Sequence, residues 1–371
     1  MDFELSDDQK MIRSTVADFV KKELPVTRMR KMREDETGFS RDVYRQMGEL
    51  GWLGIALPEA AGGFGGSFVD AAIVLEQFGT TLVSEPYAES LVAARAIVHA
   101  GTETQQETFL GPHCAGESVL TLAHHEADIR YDLGGVQTKA EKVDGGYRLV
   151  GRKRWVLAGH AADQLVVSAR VGAGEIGLFM VDASEVTRKA VKTMDGRRAA
   201  MVELDVEVGA ERRLGEGDAS RALSRAIDDG AAACCAEGYG IMKTALNMAV
   251  EYLKTREQFG VKIGTFQALQ HHAVDMFVET ELCKSMSILA SIRADEDEDA
   301  VRERGISTAK AQLTTGGKFV LQQATQLHGG IGVTDEHDIG LYFKRMHTLH
   351  VLYGDENHHV SRFSRLPGFA A

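Results

Sequence analysis

The feature that most restricts the fold is that the hydrophobic period changes twice along one chain. Up to about residue 112 the apolar residues recur at helical spacing. After residue 117 they alternate, and from about residue 216 they return to the helical period. A segment of one period flanked by two of the other cannot share a single uniform layer. The pattern predicts an α+β chain with an all-helical domain over 1–112, a middle β domain over 113–215 and a helical domain over 216–371. A chain of 371 residues also exceeds what one small core serves.

Local signals fill in each block. Ser6-Asp7-Asp8-Gln9 has capping-box form, with Met11, Ile12, Val16, Phe19 and Val20 as the expected buried stripe and Pro25 just beyond the helix. Ser40 is placed to cap a second helix that Gly51 closes, and helices are expected near 68–79, 88–100 and 103–110. The loop from Pro58 to Ser67 carries four glycines, but it lacks the strand–helix setting of a dinucleotide fingerprint, so a Rossmann reading is rejected. In the middle block, strands are expected over 136–143, from 147, and near 164–170, 175–182 and 200–208, with Asp144-Gly145-Gly146 as a turn. Beyond it, long helices are expected over 219–253, to about 294, and over 300–328. Asp295-Glu-Asp-Glu-Asp299 reads as a solvated loop.

Composition excludes some functions. A net charge of −12 and a pI near 5.6 argue against a nucleic-acid partner and give no attraction to an anionic membrane. Four cysteines without a C-x-x-C read as reduced thiols, and no run of about 20 apolar residues is present, so a cytoplasmic location is expected. The pairs His271-His272 and His358-His359 lack the i, i+4 spacing of a helical metal site, and no metal is expected.

The stretch 251–270 carries the strongest functional signal. Tyr252 and Leu253 close one helix, Gly260 and Gly264 free the chain, and Thr265 is read as the cap of the next helix. The apolar face of that helix is expected to include Leu269, Ala273, Met276 and Phe277. Arg256, Gln258 and Phe259 then share one corner. A guanidinium, an amide and a ring together suit a flat ligand bearing phosphates.

Arg256-Glu-Gln-Phe-Gly260, followed by Gly264-Thr-Phe-Gln-Ala-Leu-Gln270, resembles a signature of the acyl-CoA dehydrogenase family. A second signature stands at Gln326-Leu-His-Gly-Gly-Ile-Gly332. The resemblance runs over essentially the whole chain. It implies an N-terminal helical domain, a middle β-barrel or sandwich and a C-terminal four-helix bundle, with FAD as cofactor and an acyl-CoA as substrate. It implies that electrons leave to an electron-transfer flavoprotein. Arg256, Gln326, Gly329 and Gly330 match positions that touch the FAD of a neighbouring subunit, and Gln258, Phe259 and Gln267 belong to the same cofactor set. An oligomer follows, either a homotetramer or an α2β2 assembly with a homologous subunit.

Lys153-Arg-Trp-Val-Leu157 is similar to the family's strand in which a Trp lies beside the flavin. Leu157 replaces a usual Thr, so only its backbone N–H could serve the flavin. The family's Thr-Glu-Pro-Gly-x-Gly-Ser loop is rebuilt as His125-Glu-Ala-Asp-Ile-Arg-Tyr131, which makes His124 and His125 candidate donors to the flavin edge.

The largest departure lies near the C-terminus. Where many members carry a catalytic Glu in Tyr-Glu-Gly-Thr, this chain has Tyr353-Gly354-Asp355-Glu356. Removing the α proton of a thioester needs a base, together with donors to the thioester oxygen. The backbone N–H of Gly354 retains the donor role. Three sources of the base stay open. One is Glu237, alone in the small-residue run 231–242, where a buried carboxylate must be paired or carry a raised pKa. Another is Asp355 or Glu356, and the third is a carboxylate on a partner chain. Asp228 and Asp229 lie just before the position, near Gly230, that some branches use. Two rival readings remain: a non-catalytic subunit that completes another chain's FAD site, and a flavoprotein of the same fold, such as a monooxygenase or nitroalkane oxidase.

Overall fold

The computed structural model describes residues 4–172 and 174–368. In chain order the helices α1 (Asp7–Glu23), α2 (Val26–Met32), α3 (Arg41–Glu49), α4 (Phe68–Thr81), α5 (Tyr87–Ala100) and α6 (Glu103–Cys114) come first. The strands β1 (Leu120–Ala123), β2 (Lys139–Val143), β3 (Gly146–Leu157), β4 (Gln164–Val171), β5 (Glu175–Asp182), β6 (Thr187–Lys192) and β7 (Arg198–Gly209) follow. The long helix α7 (Ser220–Thr255) then leads to a small hairpin, β8 (Glu257–Gln258) and β9 (Val261–Lys262). Helices α8 (Gln267–Ala294), α9 (Asp299–Leu327), α10 (Ile339–Val351) and α11 (Glu356–Ser364) complete the chain.

These elements pack as two units, one built from Met1–Arg30, Phe68–Val83 and Ala231–Ala371, the other from Lys31–Ser67 and Ser84–Gly230. The block expected over 1–112 is thus shared between them. In the first unit α1 lies on α4, and α9 is packed by α8, α10 and α11. Helices α4 and α7 meet backbone to backbone. A Cβ on Gly79 would stand 2.2 Å from the Glu237 carbonyl oxygen, and one on Gly240 would stand 2.0 Å from that of Glu76. Only glycine permits that approach.

The second unit holds a sheet in the order β1-β4-β2-β3-β7-β6, with β5 also on β4. The pairs β1–β4 and β2–β4 are parallel, and the β2–β3, β3–β7, β4–β5 and β6–β7 pairs are antiparallel. Strand β7 shows why the period was legible: Val202, Leu204, Val206 and Val208 are buried, whereas Glu203, Asp205 and Glu207 face water. Helix α5 covers β1 and β4. Each fully buried large apolar side chain, such as Phe179 or Leu165, contributes about 1.5–3 kcal/mol.

The capping box at Ser6 and the cap at Ser40 form as their sequences suggest, and a second capping box forms at Thr102. Several expectations are corrected. Met11 is 62% exposed and lies outside the buried stripe of α1, which is held by Val16 and Val20. Thr265 does not cap α8. Its hydroxyl donates to the Lys262 carbonyl (2.7 Å), and Phe266 takes the cap position. Phe277 is exposed, so the buried side of α8 is set by Met276, Thr280 and Cys283. The acidic run is a largely exposed loop over 295–298, as expected, with two added contacts: Asp295 accepts the Phe68 N–H (2.7 Å), and Asp299, which opens α9, pairs with the buried Arg302 (2.7 Å). All four cysteines are buried and unbridged. Among the described residues no helix is long and apolar enough to cross a membrane.

Candidate cofactor and catalytic site

In the second unit, β3 breaks its pairing with β7 between Lys153 and Val156. At this bulge Trp155 takes φ +53°, and its side chain is 48% exposed. Lys153 points inward and is fully buried. Its ammonium donates to Glu126 Oε1 (2.7 Å), Ser168 Oγ (3.1 Å) and the His124 carbonyl (3.3 Å). Glu126 also accepts from the N–H groups of Gln137 and Thr138 and from the Thr138 hydroxyl. Burial pushes the Lys153 pKa down to about 8 although Glu126 pulls it upward.

The segment 124–126 is fastened to the bulge by the Arg154 N–H, which donates to the His125 carbonyl (2.7 Å). His124 Nδ1 meets Ser168 Oγ at 2.9 Å, and burial, aided by Lys153, lowers its pKa to about 3. Burial, with Arg154 next, also lowers that of His125. His124 Nε2 and His125 Nδ1 are buried without a hydrogen-bond partner. The orphaned His125 nitrogen, on the segment tied to the bulge of the half-exposed Trp155, fits a flat ligand with a polar edge, whereas His124 is turned inward to Ser168. Leu157 ends the strand opposite Ala199, and its carbonyl accepts the Thr121 hydroxyl (2.6 Å).

In the first unit, α7 runs out at Thr255 into the β8–β9 hairpin. Its two turn residues, Phe259 and Gly260, both have positive φ (57° and 81°), the geometry of a type I′ turn. That turn lifts Phe259 to 91% exposure. Arg256, Gln258 and Gln267 are exposed beside it. Gln326 is exposed in the last turn of α9, and a Cβ on Gly329 or Gly330 would meet nothing within 4 Å. The two motifs, far apart in sequence, come together here. The Tyr252 and His328 rings meet at a tilt of 35° with centroids 4.8 Å apart, joining the C-terminal ends of α7 and α9. Val274, Phe277, Val278 and Leu282 continue the exposed apolar surface along α8 at helical spacing.

The turn after α10 is organised by Lys310. Its buried ammonium donates to the carbonyls of Leu349 (2.8 Å), His350 (3.2 Å) and Gly354 (2.9 Å). Cations are favoured where a helix ends in unpaired carbonyls. Gly354 has φ +115°, and a Cβ there would stand 2.3 Å from His359 Nε2 and 2.7 Å from His358 Cδ2. His359 is itself fixed, with Nδ1 3.3 Å from Ser307 Oγ and Nε2 3.1 Å from the Tyr353 carbonyl. The space for a side chain at 354 is filled.

Of the alternatives left open for Glu237, the structure shows the paired one. Arg345 on α10 forms a buried bidentate pair with Glu237, with both donor–acceptor distances 2.7 Å. Asp229 is likewise claimed by Arg95 and His99, within the second unit. Asp355 is the N-cap of α11, accepting the His358 N–H (2.9 Å), and Glu356 is exposed in that helix's first turn. Sequence reasoning passed over Lys153, Lys310, Arg345 and His359. For Lys153 a signal existed, since it shares the inward parity of Leu149.

The family model for the acyl-CoA dehydrogenase N-terminal domain matches residues 6–117, and that for the C-terminal domain matches 220–365. A probable acyl-CoA dehydrogenase of Bacillus subtilis, YngJ, is 31% identical over 361 residues, covering 91% of this chain and 92% of that protein. The chain belongs to the acyl-CoA dehydrogenase family. Its fold matches a variant of the Tcur3481-Tcur3483 steroid ACAD at TM-score 0.88 and 30% identity, over 96% of this chain and 97% of the other. It matches the ChsE4-ChsE5 complex of Mycobacterium tuberculosis at TM-score 0.88 and 26% identity, over 98% of each chain. As a member of this family, the chain is an oxidoreductase by relationship.

Proposed function

We propose that this chain works in an FAD-dependent acyl-CoA dehydrogenase assembled from two homologous chains, with the proton-abstracting carboxylate on the other chain. The observation that carries this reading is the state of the two candidate positions. The space beside Gly354 is taken by His359, and Glu237 is sealed by Arg345. A guanidinium that occupies one lone pair on each oxygen of a carboxylate fixes its orientation, favours its charged form and makes it a weaker base. The likeness to two structures named for pairs of chains points the same way.

The residues present fit FAD. Trp155 offers a flat apolar face, and the orphaned nitrogen of His125 offers a polar contact, with the Leu157 N–H nearby in sequence. Arg256, Gln258, Phe259, Gln267, Gln326, Gly329 and Gly330 form an exposed set suited to a dinucleotide bound by a neighbouring subunit. Bound FAD supplies the two-electron acceptor, and an electron-transfer flavoprotein is the expected outlet. The Gly354 N–H donates to the thioester oxygen of an acyl-CoA and strengthens as enolate charge builds. Lys310 holds that turn. The exposed apolar face of α8 serves assembly. A ring-bearing acyl group is the favoured substrate class, given the steroid-acting relative. Four unbridged thiols suit a cytoplasmic setting.

The test is purification of the chain alone and co-expressed with a homologous dehydrogenase chain, followed by anaerobic titration with straight, branched and ring-bearing acyl-CoAs. The mixed complex is expected to hold flavin and to bleach, and the lone chain is not. Full bleaching by the lone chain would place the base in this polypeptide and overturn the two-chain reading.

A further inference from the structure

Alternation along β3 puts Leu149, Gly151 and Lys153 on the inner side, and an unbroken strand would carry Trp155 inward after them. The observed order differs. Lys153 is buried, Arg154 and Trp155 are both exposed, and Val156 takes the next inner place. One extra residue at the bulge therefore exchanges the faces of Trp155 and Val156. A bulky residue at φ +53° is strained and persists only where its surroundings over-determine it.

We propose that Lys153 is the positioning residue of the cofactor-binding edge: its clamped ammonium fixes the bulge that presents Trp155 beside His125. The ammonium is held by Glu126, Ser168 and the His124 carbonyl. Glu126 is held in turn by Gln137 and Thr138 at the entrance to β2. A buried charge set between such partners cannot slide by one residue without losing them. The register of the strand on the Trp155 side is thereby locked, and the Arg154 N–H pins the 124–126 segment to the same bulge. The role in flavin binding rests on the proposed function, whereas the role in orienting Trp155 does not.

The experiment uses the Trp52→Phe background, in which Trp155 is the sole tryptophan, and adds Lys153→Met. In flavin-free protein the near-UV circular dichroism of Trp155 reports whether the ring is held in one orientation. Lys153→Met is expected to lose most of that band with the far-UV spectrum unchanged, and to weaken FAD binding by about tenfold or more. A folded Lys153→Met that keeps both the band and the affinity overturns the proposal. Should Lys153→Met fail to fold, Ser168→Ala removes one acceptor without stranding a charge. It is expected to shift both readouts in the same direction by about threefold, and an unchanged Ser168→Ala overturns the proposal equally. If the parent protein takes up no flavin in any assembly, the functional reading fails while the Trp155 band still decides the positioning role.

Discussion

Arg345 donates through Nε and Nη2 to the two carboxylate oxygens of Glu237, at 2.7 Å each, with both side chains almost wholly buried. The pair joins α7 to α10 inside the first unit. Glu237→Gln would leave a buried guanidinium without its counter-charge, so a loss of about 3–5 kcal/mol in unfolding free energy is expected. Replacing both partners, Glu237→Leu with Arg345→Met, is expected to recover most of it. Urea unfolding of the parent, Glu237→Leu, Arg345→Met and the double variant measures the coupling. A Glu237→Gln protein of unchanged stability that loses turnover would instead mark Glu237 as the base.

Gly354→Glu tests whether the missing family carboxylate can simply be put back. The new Cβ would fall 2.3 Å from His359 Nε2, on a residue with φ +115°. Backbone strain alone costs about 1–3 kcal/mol. The variant is expected to lose stability and to leave flavin reduction by an acyl-CoA absent from the lone chain. Thermal melts and single-turnover spectra would show both. Appearance of bleaching in Gly354→Glu would mean that the His358 and His359 rings move aside readily.

What was legible in the sequence was what depends on neighbours along the chain. The strand expected over 175–182 is found at Glu175–Asp182, and the helix expected over 219–253 at Ser220–Thr255. Short or edge elements were missed. Helix α2 has seven residues, β1 has four, and β6 is mostly exposed and lacks alternation. The ionic partners were hidden for another reason. Glu237 and Arg345 stand 108 residues apart, and no local pattern announces such a pair. Apolar spacing also cannot tell a core face from a face that meets another molecule. Met11 and Phe277 look alike in sequence to Val16 and Met276, yet the first two face outward.

The Lys153–Glu126 pair gives stability a pH signature on both sides. Burial raises the Glu126 pKa, but Lys153 and the hydrogen bonds to Thr138 and Gln137 outweigh it, and the net shift is downward. Glu126 therefore contributes stability that is full above its unfolded value of about 4.3 and is lost as pH falls through the lowered native value. Lys153 has the opposite sign from a surface lysine. Its native pKa lies at about 8, below its unfolded value. Between them the unfolded chain holds a proton that the native protein lacks, so this group makes stability rise with pH over that window. A Lys153→Met/Glu126→Gln double variant is expected to lose both features. Unfolding free energies of the two proteins measured from pH 3 to about 10 check the sign.

Phe259 separates assembly from folding. It sits 91% exposed at the hairpin tip, touching only the edge of Phe266 among the aromatic rings of the described residues, with centroids 6.0 Å apart. Truncating it removes almost no intramolecular burial, so Phe259→Ala is expected to change the unfolding free energy of the isolated chain by less than about 0.5 kcal/mol. Arg256 and Gln258 flank it, both exposed, and in the proposed assembly the ring's apolar surface packs against the neighbouring subunit or its cofactor. Phe259→Ala is therefore expected to lower flavin retention by the assembled complex by about tenfold and to weaken association, with Arg256→Ala acting in the same direction through loss of the phosphate contact proposed for it. Gel filtration with light scattering, read beside the flavin-to-protein absorbance ratio, distinguishes the two effects. A Phe259→Ala protein that assembles and retains flavin as the parent does would remove this corner from the cofactor site.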